Sequence, residues 1–323
     1  MLFNKFATHE LITTNKKNPD PSLINPWGIT QDNDYIWIAN NATGTITNYN
    51  LFGKKLSNII NVPSTNNNKS SPTDIVINYS NGFLITQNSL SVPSYMIIAT
   101  ENGTICGYNP QIDPINAITI INNSSTNAVY TGLILVKNYL YATDFHNKKI
   151  DVFDSNFSLN SNFQFIDTSI INQIPADFAP YNIEQIQNKL YVSYAQQLSP
   201  ANISVKNGKG NGYINIFDLN GEFLSRFASK GNLSSPWAMI IAPITLGCFV
   251  NYLLVGNFGN GQINIYDFNG NYLTKLKNKY NDPLLIFGLH ALIVVRVSQL
   301  VYFSTGTDTE MDGIIGDIIE ECN

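Results

Sequence analysis

A unit of about fifty residues recurs six times along this chain, and that repetition limits the possible folds more than any other feature. Each copy opens with a short apolar stretch: Pro26-Trp27-Gly28-Ile29, Pro72-Thr73-Asp74-Ile75, Tyr130-Thr131-Gly132-Leu133, Pro180-Tyr181-Asn182-Ile183, Pro236-Trp237-Ala238-Met239 and Leu289-His290-Ala291-Leu292. A second apolar stretch follows, and its fourth position is Ala39, Ala99, Thr143, Ser193, Gly256 or Ser304. All six are small, as crowding near the hub of a radial array requires. Third stretches such as Thr45–Tyr49, Ile150–Asp154, Tyr213–Phe217 and Gln262–Tyr266 alternate with period two, the mark of half-buried strands. Turns at Asn220-Gly221 and Asn269-Gly270 lead into fourth strands. No stretch has the pattern of an amphipathic helix of useful length.

The expected fold is all-β: one domain over residues 1–323, a six-bladed β-propeller of four-stranded antiparallel blades. The last copy lacks a fourth strand of its own, and a strand-like stretch over about 6–13 precedes the first. That N-terminal strand is expected to complete the last blade and close the ring, which protects the sheet edges. The Asn-rich loop over 63–71 and the loop over 200–211 read as solvated insertions.

Charged residues make up 13% of the 323, the net charge is -5, and asparagine supplies about one residue in seven. Such an excess of Asn fits an AT-rich genome, as giant viruses and some protists have. Without clustered Lys and Arg, nucleic acid is not an expected partner. Cys106, Cys248 and Cys322 are too scattered for a metal cluster or a disulfide framework, and Cys106 reads as a small core hydrophobe. Neither a signal peptide nor a membrane span is expected, which points to a cytoplasmic or virion-associated setting.

Several segments fall in a familiar order: Asp20-Pro21-Ser22-Leu23-Ile24-Asn25-Pro26-Trp27-Gly28-Ile29, Ala99-Thr100-Glu101-Asn102-Gly103-Thr104-Ile105, Ala142-Thr143-Asp144-Phe145-His146, Phe178-Ala179-Pro180-Tyr181, Ser235-Pro236-Trp237 and Val255-Gly256-Asn257-Phe258-Gly259-Asn260-Gly261. From about Leu11 to about Ile318 the chain resembles a family of NHL-like six-bladed propellers, many of whose bacterial members carry a signal peptide and a C-terminal sorting segment. This chain is expected to have neither, and it departs from the family in Leu289-His290-Ala291, where the family tends to have Trp-Gly. The resemblance implies a fold and no activity.

In such a fold one face gathers Asn40, Glu101, Asp144, His146, Tyr194 and Asn257 from the turns after the second strands, and Trp27, Tyr181, Trp237 and His290 from the blade openings. These ten are the candidate binding residues, and no catalytic or metal-ligating set is assigned. Trp27 and Trp237 either wedge blades together or stack on a ligand, with wedging favoured. Asp144 and His146, two apart, would share a face if both lay on a strand. Glu101, Asp144 and Asn257 are oxygen donors that could surround calcium, by analogy of fold with calcium-dependent lactonase propellers. Asp308 to Gly313 opens like a calcium loop but has Ile319 where the bidentate Glu belongs, so an acidic surface turn is the expectation. No nucleophile elbow, phosphate loop or dinucleotide fingerprint is present. The reading favoured by sequence is a non-enzymatic binding or structural propeller that presents one face to a protein or glycan, a candidate virion component, with no cofactor. The alternative is a calcium-dependent hydrolase of lactonase type.

Overall fold

The computed structural model describes residues 4–56, 59–65, 69–169, 173–307 and 310–321. They form six small antiparallel sheets arranged as the blades of a propeller, and the described helices are two short 3₁₀ turns, Ser124–Thr126 and Ile244–Phe249. The innermost strands are Pro26–Asp32, Pro72–Ile77, Tyr130–Val136, Phe178–Ile186, Pro236–Ile241 and Leu289–Val294, so the six openings marked in the sequence line the axis.

The ring closes as expected. Lys5–Thr13 pairs antiparallel with Ile314–Glu321, from Lys5 opposite Glu321 to Thr13 opposite Ile314, and becomes the outer strand of the sixth blade. Its inward side chains Phe6 and Ile12 are fully buried, and Leu11 nearly so. Burying each is worth roughly 1.5–3 kcal/mol, so the strand is an integral part of the core.

Each inner strand carries a register shift against its second strand at the same place: Pro26/Ile29, Pro72/Asp74, Tyr130/Gly132, Pro180/Asn182, Pro236/Met239 and Leu289/Leu292. A bulge leaves backbone groups unpaired and brings two residues against one. The six small residues lie beside these bulges and are all buried. Ser193 accepts the Asn182 N–H at 3.1 Å, and Ser304 accepts the Ala291 N–H at 3.0 Å while donating to the Trp27 carbonyl. Small size admits the bulge, and a hydroxyl repairs its hydrogen bonding.

Two features depart from the regular expectation. Five blades have four strands, but the third, Tyr130–Val136 with Tyr139–Asp144 and Lys149–Phe153, has three among the described residues. After a single bridge between Phe153 and Leu159, Phe163 and Phe165 pack edge-on against Tyr141, covering the third blade with aromatic contacts in place of a backbone ladder. The second blade carries an extra hairpin, Leu84–Gln87 with Leu90–Pro93. Just before it, buried Phe83 docks edge-on against Phe157, 5.1 Å between ring centroids.

Candidate functional site

The residues of the six inner strands stack in layers along the axis, and cavities lie at both ends. At the end where these strands begin is a mouth cavity of about 250 Å³, lined by Asn25, Trp27, Asn41, Glu101, Thr131, Tyr181, Ile203, Ser204, Val205, Asn207, Phe258 and Glu310, with the exposed Lys206 outside the lining. At the other end a chamber of about 590 Å³ is lined by Thr30, Val76, Ile134, Glu184, Ile240 and Ile293, one from each blade, with Asp74 also in its wall. The loop over 200–211 is solvent-exposed over most of its length, as expected, and it also borders the mouth. Val205 bridges to Gln197, whose amide donates to the Phe145 carbonyl at 2.6 Å, and this holds the loop over the mouth.

Between the cavities lies a septum. Trp27 stacks on His290, with ring centroids 4.2 Å apart and planes at 20°, while Phe258 lies on His290 at 4.8 Å and Trp237 meets it edge-on at 6.4 Å. The Trp237 indole donates to the Thr131 carbonyl two blades away at 3.0 Å. Burial pushes His290 down to about 3, against the opposing pull of the Pro26 carbonyl, so the ring is neutral and acts as a third aromatic plate. One layer further in, Asp74 accepts the N–H groups of Ile75 at 2.9 Å and Leu133 at 2.8 Å, and Asn182 donates to the Trp237 carbonyl at 2.9 Å. Gly132 makes room for this link: a Cβ there would lie 2.2 Å from the Asn182 Oδ1 and 2.8 Å from its Cα. Polar side chains in the septum therefore stitch neighbouring blades together.

Asp74 and Glu184 both have raised pKa values. Burial holds Asp74 at about 7 against its two backbone donors. Burial and then the nearby Asp74 hold Glu184 at about 8, against a hydrogen bond from Asn182.

At the mouth, Glu101 accepts from the Asn41 amide at 2.8 Å, Asn25 donates to Asn41 and to Glu310 at 3.4 Å each, and the result is a chain of two carboxylates bracketing two amides. Burial raises Glu101 to about 7, with Glu310 adding to the rise and the Asn41 bond opposing it. Burial also drives the Tyr181 phenol far above its usual range, and both glutamates contribute.

Of the ten sequence candidates, the structure brings Trp27, Glu101 and Tyr181 to the mouth and puts Trp237 and His290 in the septum. The others lie elsewhere. Asn40 donates to Thr47 at 2.9 Å and to Thr45 at 3.3 Å within its own blade. Asp144 accepts from Val129 and Asn147, and burial raises its pKa. Asn257 accepts the Ser234 N–H at 2.8 Å and donates to the Gln262 carbonyl at 3.0 Å. All three close the turn after the second strand. His146 lies beyond the end of Tyr139–Asp144, so it and Asp144 are not a strand pair. Tyr194 is buried in the fourth blade, where desolvation raises its phenol.

Glu101, Asp144 and Asn257 therefore do not assemble one oxygen cage: Glu101 alone lines the mouth, and the other two are bonded into separate turns. Among the described residues no three His, Cys, Asp or Glu side chains are placed to hold a metal ion together. Asp308 and Thr309, which open the calcium-loop-like stretch, and Cys322 lie outside the described residues. No described helix is long and apolar enough to cross a membrane.

Sequence reasoning missed Asn25 and Asn41. Asn41, Glu101 and Phe258 each follow the last residue of a second strand, and strand alternation points them opposite to Asn40, Thr100 and Asn257. The sixth position of the repeat, one beyond the turn-closing residue, was the signal available.

No protein-family model matches the chain. Among solved structures, virginiamycin B lyase from Staphylococcus aureus superposes with a TM-score of 0.57 at 16% identity over 98% of this chain and 100% of that one. Regucalcin from Agrobacterium tumefaciens, described as a calcium-binding protein, superposes with a TM-score of 0.57 at 11% identity over 98% and 95%. These likenesses show the fold alone. The uncharacterised protein R648 of Acanthamoeba polyphaga mimivirus is 38% identical over 335 residues, covering 99% of this chain and 84% of the relative. The chain belongs to the same protein family as this mimivirus protein.

Proposed function

We propose that this chain is a non-catalytic binding propeller that presents the mouth of its channel to a protein or glycan partner, and that it works in or on a giant-virus particle. One observation carries the reading: the hydrogen-bonded row Glu310–Asn25–Asn41–Glu101 at the entrance, above the rings of Trp27, Tyr181 and Phe258. Convergent polar groups beside apolar walls on a rigid frame are what a recognition site needs. The mimivirus relative supports a giant-virus source, and the particle setting is a proposed step beyond it.

The test is a binding screen of the purified protein against a glycan panel and solubilised particle proteins, with a Glu101→Gln/Glu310→Gln variant alongside. Binding that the variant loses supports the reading. Binding that the variant retains in full places recognition elsewhere and overturns it. Mass spectrometry of purified particles that lacked the chain would remove the virion setting.

The hydrolase alternative retains one specific observation. Glu101, raised to about 7, can hold or release a proton at neutral pH, as a general acid must. Turnover of a lactone or ester panel that Glu101→Gln abolishes would establish this second reading over the first.

A further inference from the structure

We infer that the mouth cavity receives a cationic side chain, the guanidinium or ammonium head of an Arg or Lys on a protein partner. This deepens the binding reading and rests on it.

The cavity lining holds two carboxylates, Glu101 and Glu310, and among the described residues no Lys, Arg or His. Glu101 is half-buried at the cavity wall, and its carboxylate is met by the Asn41 amide with no cationic partner among the described residues. The walls include three aromatic rings, Trp27, Tyr181 and Phe258; Trp27 and Phe258 each give one face to His290, and aromatic faces attract a cation. Asn25, 4% exposed, also lines the cavity, and its amide oxygen, close to Gly306, has no hydrogen-bond partner. An unpaired acceptor beside two carboxylates suits a guest rich in donors, and a guanidinium carries five. At about 250 Å³ the cavity lies below the size usual for drug-sized ligands, so it fits one charged head with its stem better than an oligosaccharide.

The electrostatics add a signature. The groups facing Glu101 are Glu310 and the Tyr181 phenol, neither of which stabilises its charge, and the Asn41 amide, which does. A cation in the cavity favours ionised Glu101. Affinity should therefore rise with pH through about 7, and binding should release a proton.

The test is calorimetric titration of the full chain at pH 6, 7 and 8 with four probes: N-acetyl-arginine methylamide, its neutral isostere N-acetyl-citrulline methylamide, methylguanidinium and chitobiose. The arginine probe should bind at least about tenfold more tightly than the citrulline probe and tighten from pH 6 to 8. Glu101→Gln should flatten that pH dependence, and Glu310→Gln, at an exposed position, should weaken binding several-fold. Methylguanidinium weaker than the blocked arginine supports a side chain as the guest, whereas equal or tighter binding assigns the site to a free small cation and overturns the protein-partner assignment. Equal affinity for arginine and citrulline, or no arginine binding, overturns the inference. If chitobiose then binds and Glu101→Gln abolishes it, the mouth reading survives with a glycan as its guest. If mouth variants alter no binding at all, both fall.

Discussion

The two ends of the channel each carry a pair of acidic side chains, and the pairs are built differently. Asp74 is clamped by two backbone N–H groups, one of them from the next blade, and Glu184 is bonded to Asn182, which itself ties to Trp237. Glu101 and Glu310 at the mouth are held only by the amides of Asn41 and Asn25. Both pairs line a cavity, but the first belongs to the stitching of the ring, while the second ties no blades together through backbone groups and stabilises little. Like-charged residues held close without structural return are what a recognition site leaves behind when selection acts on binding.

The largest expected effect removes both ends together. Deleting residues 1–14 strips Phe6, Leu11 and Ile12 from the core, and about 5 kcal/mol or more of stability should go with them. Chemical denaturation should show the whole protein destabilised. A truncated form that unfolds like the full chain would mean that the ring does not depend on this strand.

Next come the septum variants. Gly132→Ala forces a methyl group against the Asn182 backbone, and overpacking of this kind should remove about 2–3 kcal/mol. Asp74→Ala leaves the Leu133 and Ile75 N–H groups without their acceptor and should remove about 1–3 kcal/mol. Denaturant midpoints matching wild type in both would erase the distinction between the two ends.

These residues also show how far the sequence was legible. The six blades and the closing strand follow from the repeat, because a small residue beside each inner-strand bulge is a packing demand visible as Ala39, Ala99, Thr143, Ser193, Gly256 and Ser304. The site was only partly legible. Asn40, Asp144 and Asn257 recur at one repeat position because every blade needs that turn closed, so recurrence marked structure there. The mouth residues differ from blade to blade, Asn41, Glu101 and Phe258 at equivalent places, and Ile203–Asn207 reaches the mouth only through its tertiary pairing with Gln197. The three-stranded third blade was hidden because its aromatic outer segment has the composition of a strand without the ladder.

A smaller effect is in the pH dependence of stability. The folded-state pKa values of Asp74, Glu184 and Glu101 are about 7, 8 and 7, all above those of unfolded carboxyls. Between the unfolded and folded values the native state binds more protons, so the stabilising contribution is full below about pH 4 and is lost as pH rises through 7 to 8. Stability measured from pH 5 to 8 should fall from this cause, and Glu184→Gln and Glu101→Gln should each reduce the slope. A slope that neither changes would deny both ends their buried carboxyls.

The smallest expected change in stability is the most direct test of the account. Thermal denaturation of the Glu101→Gln/Glu310→Gln variant at pH 7 should give a midpoint at or slightly above wild type, because two carboxylates that repel each other are neutralised while their amide neighbours keep an acceptor. A midpoint lowered as far as that of Gly132→Ala would contradict the account, since the mouth pair would then hold the fold together as the septum does.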